Sequence, residues 1–390
     1  MPGRTLSALI FVLVTCAFAT IYITQPVLPI LEAQFAIGPS AASLSVSAVI
    51  VGMAVTTLPI GVLVDRYPAR WLMITGACVI AAAGALCAAT TSFAALVAMR
   101  AVQGAFIPAL TTCVAAWLSR TLPARALNVA MGTYVSATVA GGLGGRLLAG
   151  WAFPPAHWRY AFVTIGAALF VVTLLVAPRL AETSPAPSVA PSTPLWRLVV
   201  RGPQMLAQVA AFGAFGAFST VFNYFPFYLS RPPWSLSTPT ITTLYLVYVA
   251  GLVMGPFAGR LANRVGNGVV MIGGALLLEG ALAATLIVAV PALIASLVCL
   301  CLGFFAVHAA AVGALNRSVS GERGKANALY TLFYYLGGAA GIAAGGGLYA
   351  HAGWPGIVGV SLALSLLPLG VGMIFARRAV TDSSTTQEPS

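Results

Sequence analysis

Charge is what this sequence has least of. Asp and Glu number seven and Lys and Arg 19 in 390 residues, so charged side chains make up 7 % of the chain, against about 25 % in soluble globular proteins. Hydrophobic residues reach 60 %. A soluble fold is excluded, and an all-α membrane protein is implied. A span takes roughly 20 apolar residues, so this length holds about a dozen spans and leaves no room for a large soluble catalytic domain.

Ligating and nucleophilic residues are equally scarce. Of three histidines, His157 and His351 fall in short connections and His308 inside a span, so no zinc constellation can be drawn. Cys16, Cys78, Cys87, Cys113, Cys299 and Cys301 lie in apolar runs without a CxxC spacing and read as small core residues. A membrane enzyme needs a cluster of Ser, His, Asp or metal ligands at one face. None is present, so no catalytic residue, metal or cofactor is expected. The formal net charge of +12 comes from arginines and a single lysine scattered singly or in pairs, which excludes a nucleic-acid partner.

Apolar runs bounded by charges, prolines and turn residues give twelve spans, at roughly 6–28, 42–64, 71–90, 93–118, 126–150, 159–178, 204–229, 239–260, 268–289, 292–316, 326–349 and 355–376. The beginning imitates a cleavable signal, ending in Ala17-Phe18-Ala19. The apolar run continues to Leu31, however, and reads as a retained first span. Residues 1–178 form a first half of six spans, 179–202 a Pro- and Ser-rich cytoplasmic linker, 203–378 a second half, and 379–390 a cytoplasmic tail. With Arg4 inside, fifteen basic residues gather at the cytoplasmic ends. Only Arg146, Arg159 and Arg231 lie at the outer ends, which puts both termini in the cytoplasm.

The halves repeat at an offset of nearly 200 residues. Pro26 matches Pro226, Gly61-Val62-Leu63-Val64-Asp65-Arg66 matches Gly259-Arg260-Leu261-Ala262-Asn263-Arg264, Arg125-Ala126-Leu127-Asn128 matches Lys325-Ala326-Asn327, and Trp158 matches Trp354. Parallel repeats of six spans are the plan of a large transporter fold.

The loop after the second span, Gly61-Val62-Leu63-Val64-Asp65-Arg66-Tyr67-Pro68-Ala69-Arg70, resembles the G-x-L-a-D-r-x-G-r-k signature of the major facilitator superfamily (MFS). Gly61, Leu63, Asp65, Arg66 and Arg70 fit it, while Pro68 replaces the second glycine. The resemblance covers nearly the whole chain and implies two pseudo-symmetric six-helix bundles. It also implies a gating loop of Gly61, Asp65, Arg66 and Arg70, repeated as Asn263 and Arg264, with Asp65 lying against the start of the eleventh span. Arg100-Ala101-Val102-Gln103-Gly104 is similar to the family's R-x-x-q-G signature. The fifth span, with Gly141, Gly142, Gly144 and Gly145, is similar to that of proton-exchanging exporters, without their glycine-proline step. Close helix packing is the simpler role for Gly141, Gly142 and Gly145. Trp158 and Tyr160 read as interfacial anchors.

A proton-driven carrier needs a group that gains and loses a proton as it changes conformation. Glu279 is the one acid deep in a span, His308 carries an imidazole, and Arg100 puts a charge inside the membrane. These three are the coupling candidates. The resemblance places the first, fourth, seventh and tenth spans around a central cavity, with neighbouring spans contributing. Tyr22, Gln25, Gln103, Asn223, Tyr224, Phe225 and Tyr334 are its candidate lining, suited to a neutral or weakly cationic ligand.

The reading is a secondary active transporter of the bacterial inner membrane, resembling the twelve-span drug and metabolite exporters that exchange against protons. Its partners are the lipid bilayer, a small-molecule substrate and protons, and it acts as a monomer. Proton-coupled uptake of a small solute and a non-transporting receptor are the alternatives.

Overall fold

The computed structural model describes residues 4–153, 155–180, 202–319 and 323–385. The expected linker at 179–202 lies largely outside them, as do residues 386–390 of the expected tail at 379–390. The described residues are almost entirely helical. In order they form α1 (Arg4–Tyr22), α2 (Leu28–Phe35), α3 (Pro39–Arg66), α4 (Ala69–Ala89), α5 (Phe93–Thr121), α6 (Ala124–Leu147), α7 (Tyr160–Val176), α8 (Gly202–Ser230), α9 (Thr238–Leu244), α10 (Tyr248–Val265), α11 (Asn267–Ala284), α12 (Val290–Ser318) and α13 (Arg323–Thr385).

Ten helical segments among the described residues are long and apolar enough to cross a membrane, the last being Gly324–Arg378 with 55 residues. Gly353, at φ 59° and ψ −142°, breaks that segment into two spans. The glycine-rich α6 is not among the ten, but its 24 residues pack along α1. Splitting the long segment and adding α6 brings the crossings to twelve.

The first span departs from its expected end at residue 28. Pro26 has no amide proton to donate, and its ring clashes with the carbonyl four residues back, at Tyr22, where α1 stops. A 3₁₀ turn, Gln25–Val27, follows, and α2 then carries the helix on to Phe35. The proline is thus a break inside the span rather than its end.

Two compact units result. One comprises α1 to α7 together with Pro226–Leu246, and the other α8 up to Phe225 with α10 to α13. The segment Pro226–Leu246, covalently part of the second half, therefore keeps its contacts with the first.

Packing inside each unit follows the repeat. A Cβ on Gly141 or Gly145 of α6 would lie 2.3 Å from the Thr15 carbonyl oxygen or 2.2 Å from that of Ala19 in α1. One on Gly337 or Gly341 of α13 would lie 2.1 Å from the Phe212 oxygen or 2.5 Å from the Gly216 oxygen in α8. Lipid tails are as apolar as leucine, so helices in a bilayer gain from close backbone approach rather than from leaving water. Only glycine permits these separations.

Candidate functional site

Arg100 is fully buried in α5. Its Nη1 donates to the Thr20 carbonyl at 2.7 Å and to Gln103 Oε1 at 2.8 Å, its Nη2 to the Ile21 carbonyl at 2.6 Å, and its Nε to the Ser45 carbonyl at 2.8 Å. Gln103 Nε2 in turn donates to the Ile80 carbonyl at 3.2 Å, and the Phe162 ring lies 5.5 Å from the guanidinium carbon. Thr20 and Ile21 belong to the last turn of α1, where carbonyls have no helical partner. A permanent cation there meets the negative end of the helix dipole. Arg100 and Gln103 thus tie α1, α3, α4, α5 and α7 together, and Arg100 does not reach toward a membrane surface.

Arg146, assigned to an outer end from sequence, is 1 % exposed inside the first unit. Nε donates to Gln25 Oε1 at 2.6 Å and Nη1 to the Gly142 carbonyl at 2.6 Å. The guanidinium carbon lies 4.0 Å from the Tyr22 ring centroid and 5.0 Å from that of Tyr245. The structure therefore brings Tyr22, Gln25 and Gly142 together around an arginine that sequence reasoning had counted as a boundary. A signal was present, because position 146 falls inside the expected span 126–150. Nearby, Arg231 Nη2 pairs with Glu32 Oε1 at 2.7 Å.

In the second unit an aromatic wall joins α8, α12 and α13. Phe215 stacks on Tyr334 with centroids 3.7 Å apart, and Phe218 stacks on Phe304 at 4.0 Å. His308 lies 5.4 Å from Tyr334, ring to ring, and its Nδ1 hydrogen-bonds the Tyr330 hydroxyl at 2.9 Å. His308 and Tyr334 are half-buried. Of the wall, sequence reasoning found His308 and Tyr334 and missed Phe215, Phe218, Phe304 and Tyr330. The other expected lining residues of α8 are deeply buried: the Tyr224 hydroxyl donates to the Ile342 carbonyl at 2.9 Å, and Asn223 and Phe225 are 0 % and 1 % exposed. Glu279 sits elsewhere, on α11, where its Oε1 accepts from Ser365 Oγ at 3.2 Å.

At the loop ends, Asp65 Oδ1 pairs with Arg120 Nη2 at 2.5 Å, and Arg317 Nη1 donates to Asn263 Oδ1 at 3.3 Å. Arg66 and Arg264 are exposed, Gly61 has open space beside its Cα, and Arg70 lies over the Trp71 ring at 4.8 Å. Trp158 corrects the interfacial reading. It is 2 % exposed and donates through Nε1 to Gln34 Oε1 at 3.0 Å, as its repeat mate Trp354 donates to Thr285 Oγ1 at 3.0 Å. Tyr160 is 56 % exposed. A cavity of about 330 Å³ opens among α1, α5 and α6, lined by Arg4, Ser7, Thr133, Tyr134 and apolar side chains. No group of His, Cys, Asp and Glu able to hold a metal occurs among the described residues.

Twelve spans in two repeated halves fit the architecture of a polytopic membrane transporter. The chain belongs to the Major Facilitator Superfamily, whose family model matches residues 10–307 and 234–389. It is 30 % identical to the inner membrane transport protein YnfM of Escherichia coli K12, over 93 % of this chain and 88 % of that one. It is 26 % identical to the uncharacterised MFS-type transporter YybF of Bacillus subtilis 168, over 92 % and 90 %. A bacterial homologue of the human lysosomal transporter Spinster, solved inward-facing and unoccupied, shares the fold at 16 % identity and a TM-score of 0.73, covering 97 % of this chain and 96 % of that one.

Proposed function

We propose that this transporter exports a small organic compound in exchange for protons, by alternating access between its two halves. It draws on the proton gradient, needs no cofactor, and works as a monomer in a bacterial inner membrane with both termini in the cytoplasm. The observation that carries the proposal is the His308–Tyr330 pair set into an aromatic wall. Exchange requires that substrate and proton compete for one region. Imidazole is the side chain whose charge changes nearest neutral pH, and the flat faces beside it suit an apolar organic body. The glycine run of α6 is similar in sequence to that of proton-exchanging exporters, without their glycine-proline step. Membership of the superfamily and the inner-membrane relative are consistent with the location, and the arginine bias supports the orientation.

The test is substrate accumulation in cells with and without an uncoupler. Export predicts that de-energised cells retain more compound. Lower retention would replace the proposal with proton-coupled uptake, and no response would remove proton coupling.

A further inference from the structure

The separation of α1 and α6 is uneven along their length. A Cβ on Gly141 would fall 2.3 Å from the Thr15 carbonyl oxygen and one on Gly145 2.2 Å from that of Ala19, so the two helices run in the same direction with their backbones nearly touching. Thr15 Oγ1 also donates to the Ala137 carbonyl at 3.4 Å. Toward their starts the helices part. From Val14 and Tyr134 back to Arg4 and Ala126 they enclose, with Leu118 and Leu122 from the end of α5, the cavity of about 330 Å³. On α6, Ala126 and Ala130 lie one turn apart on this wall and are too short to fill it.

The cavity is polar at one end and apolar at the other. Arg4, Ser7, Phe11 and Val14 follow one another at three or four residues and so share one face of α1. Arg4 is exposed at the end nearest the helix starts. Both α1 and α6 begin there, at Arg4 and Ala124, and the first amides of a helix have no helical partner, which adds partial positive charge. Arg120 closes α5 at the same end, and arginines at helix ends mark a membrane boundary. No acid is among the described residues that line the cavity.

These walls fit a molecule whose anionic head stays at the boundary while an apolar body reaches inward. The volume is at the lower end of the roughly 300–1,000 Å³ of small-molecule sites, which favours one chain over two. A planar guanidinium matches a carboxylate through two parallel N–H···O bonds, and the Ser7 hydroxyl, one turn from Arg4, offers a further donor. We propose that this cavity binds a medium-chain fatty acid, its carboxylate on Arg4 and its chain directed along Phe11 and Leu118 toward Val14 and Tyr134. The site belongs to the first unit, whereas the His308 wall belongs to the second. The proposal therefore goes beyond the export reading and holds for either direction of transport.

The test uses the full-length protein in phosphatidylcholine nanodiscs and dodecanoate carrying a diazirine at its chain end, with the labelled peptides identified by mass spectrometry. Labelling is expected on α1 around Val14 or on α6 around Tyr134, displaced by excess dodecanoate and not by dodecanol or dodecyltrimethylammonium. Arg4→Gln should lower it by about two- to fivefold, as suits an ion pair open to solvent. Ala130→Leu, which fills the space for the chain, should lower it by about tenfold. Labelling only elsewhere, displacement by dodecanol as effective as by dodecanoate, or wild-type labelling in either variant would each overturn the proposal. Stronger displacement by dodecyl phosphate than by dodecanoate would overturn the assignment to a carboxylate. If Ala130→Leu does not fold, the wild-type competition and Arg4→Gln still decide it.

Discussion

Asp65 and Arg120 pair at 2.5 Å at the ends of α3 and α5, and in the second half Asn263 and Arg317 stand in the same relation at 3.3 Å, with an amide in place of the carboxylate. The Asp65 side chain is 70 % exposed. An ion pair so open to solvent contributes about 0–1 kcal/mol, so it has little to do with holding α3 and α5 together. If the loop gates, Asp65→Asn is therefore expected to leave the thermal midpoint nearly unchanged while cutting transport severely. Asn263→Asp should be close to neutral in both. A fall in midpoint that parallels the fall in flux would reassign Asp65 to stability.

Arg100 presents the opposite case. Its hydrogen bonds reach the carbonyls of Thr20, Ile21 and Ser45 on two other helices, all out of contact with water. Arg100→Ala orphans those carbonyls, at about 1–3 kcal/mol for each buried group left unsatisfied. The expected outcome is a large loss of thermal stability and of folded yield. Arg100→Lys should recover only part of it, because an ammonium cannot serve three carbonyls and Gln103 from one planar fork. A stable but inactive Arg100→Ala protein would move Arg100 from scaffold to transport chemistry.

The contrast between Arg100 and Arg146 shows how far the sequence can be read. Arg100 stood alone in an apolar run, so its burial was legible from spacing, and Gln103 lay one helical turn away. Arg146 followed a glycine run near the end of a span, where a charge ordinarily marks the membrane surface, and only the fold reveals Gln25 and Tyr245 around it. The break after Tyr22 was hidden for a related reason: Pro26 and Pro29 read as the end of a helix that resumes as α2. The aromatic wall escaped because Phe215, Phe218 and Phe304 are ordinary residues in apolar spans, and their stacking depends on how α8 and α12 meet. The pairing of Glu279 with Ser365 is likewise a tertiary contact 86 residues apart.

Two adjacent glycines of α6 give a controlled comparison. A Cβ on Gly145 would sit 2.2 Å from the Ala19 oxygen, whereas one on Gly144 meets nothing within 4 Å. Gly145→Ala must push α6 and α1 apart, and overpacking of this kind typically costs about 1–3 kcal/mol. Gly144→Ala should be neutral or slightly stabilising, since alanine is the better helix former. Unfolding of both purified variants checks this. Equal midpoints would show that α1 and α6 separate more readily than their close contact implies.

The coupling group is tested by three substitutions in proteoliposomes with an imposed pH gradient and a pH-sensitive dye inside. His308 shares the aromatic wall with Phe304 and Tyr334, so a proton on its ring and an organic body against that wall would compete for the same space. Glu279 bonds Ser365 Oγ on the second span of α13, among residues outside that wall. His308→Gln is therefore expected to leave exchange of substrate down its own gradient and abolish its response to the pH gradient. Tyr330→Phe removes the hydroxyl at 2.9 Å from Nδ1 but keeps the imidazole, so coupling should weaken and persist. Glu279→Gln should stay proton-driven, because an amide can still accept from Ser365 Oγ. If Glu279→Gln uncouples while His308→Gln does not, the proton travels by α11 and the wall serves binding alone. Should both remain fully driven, neither group carries the proton and the exchange mechanism itself must be given up.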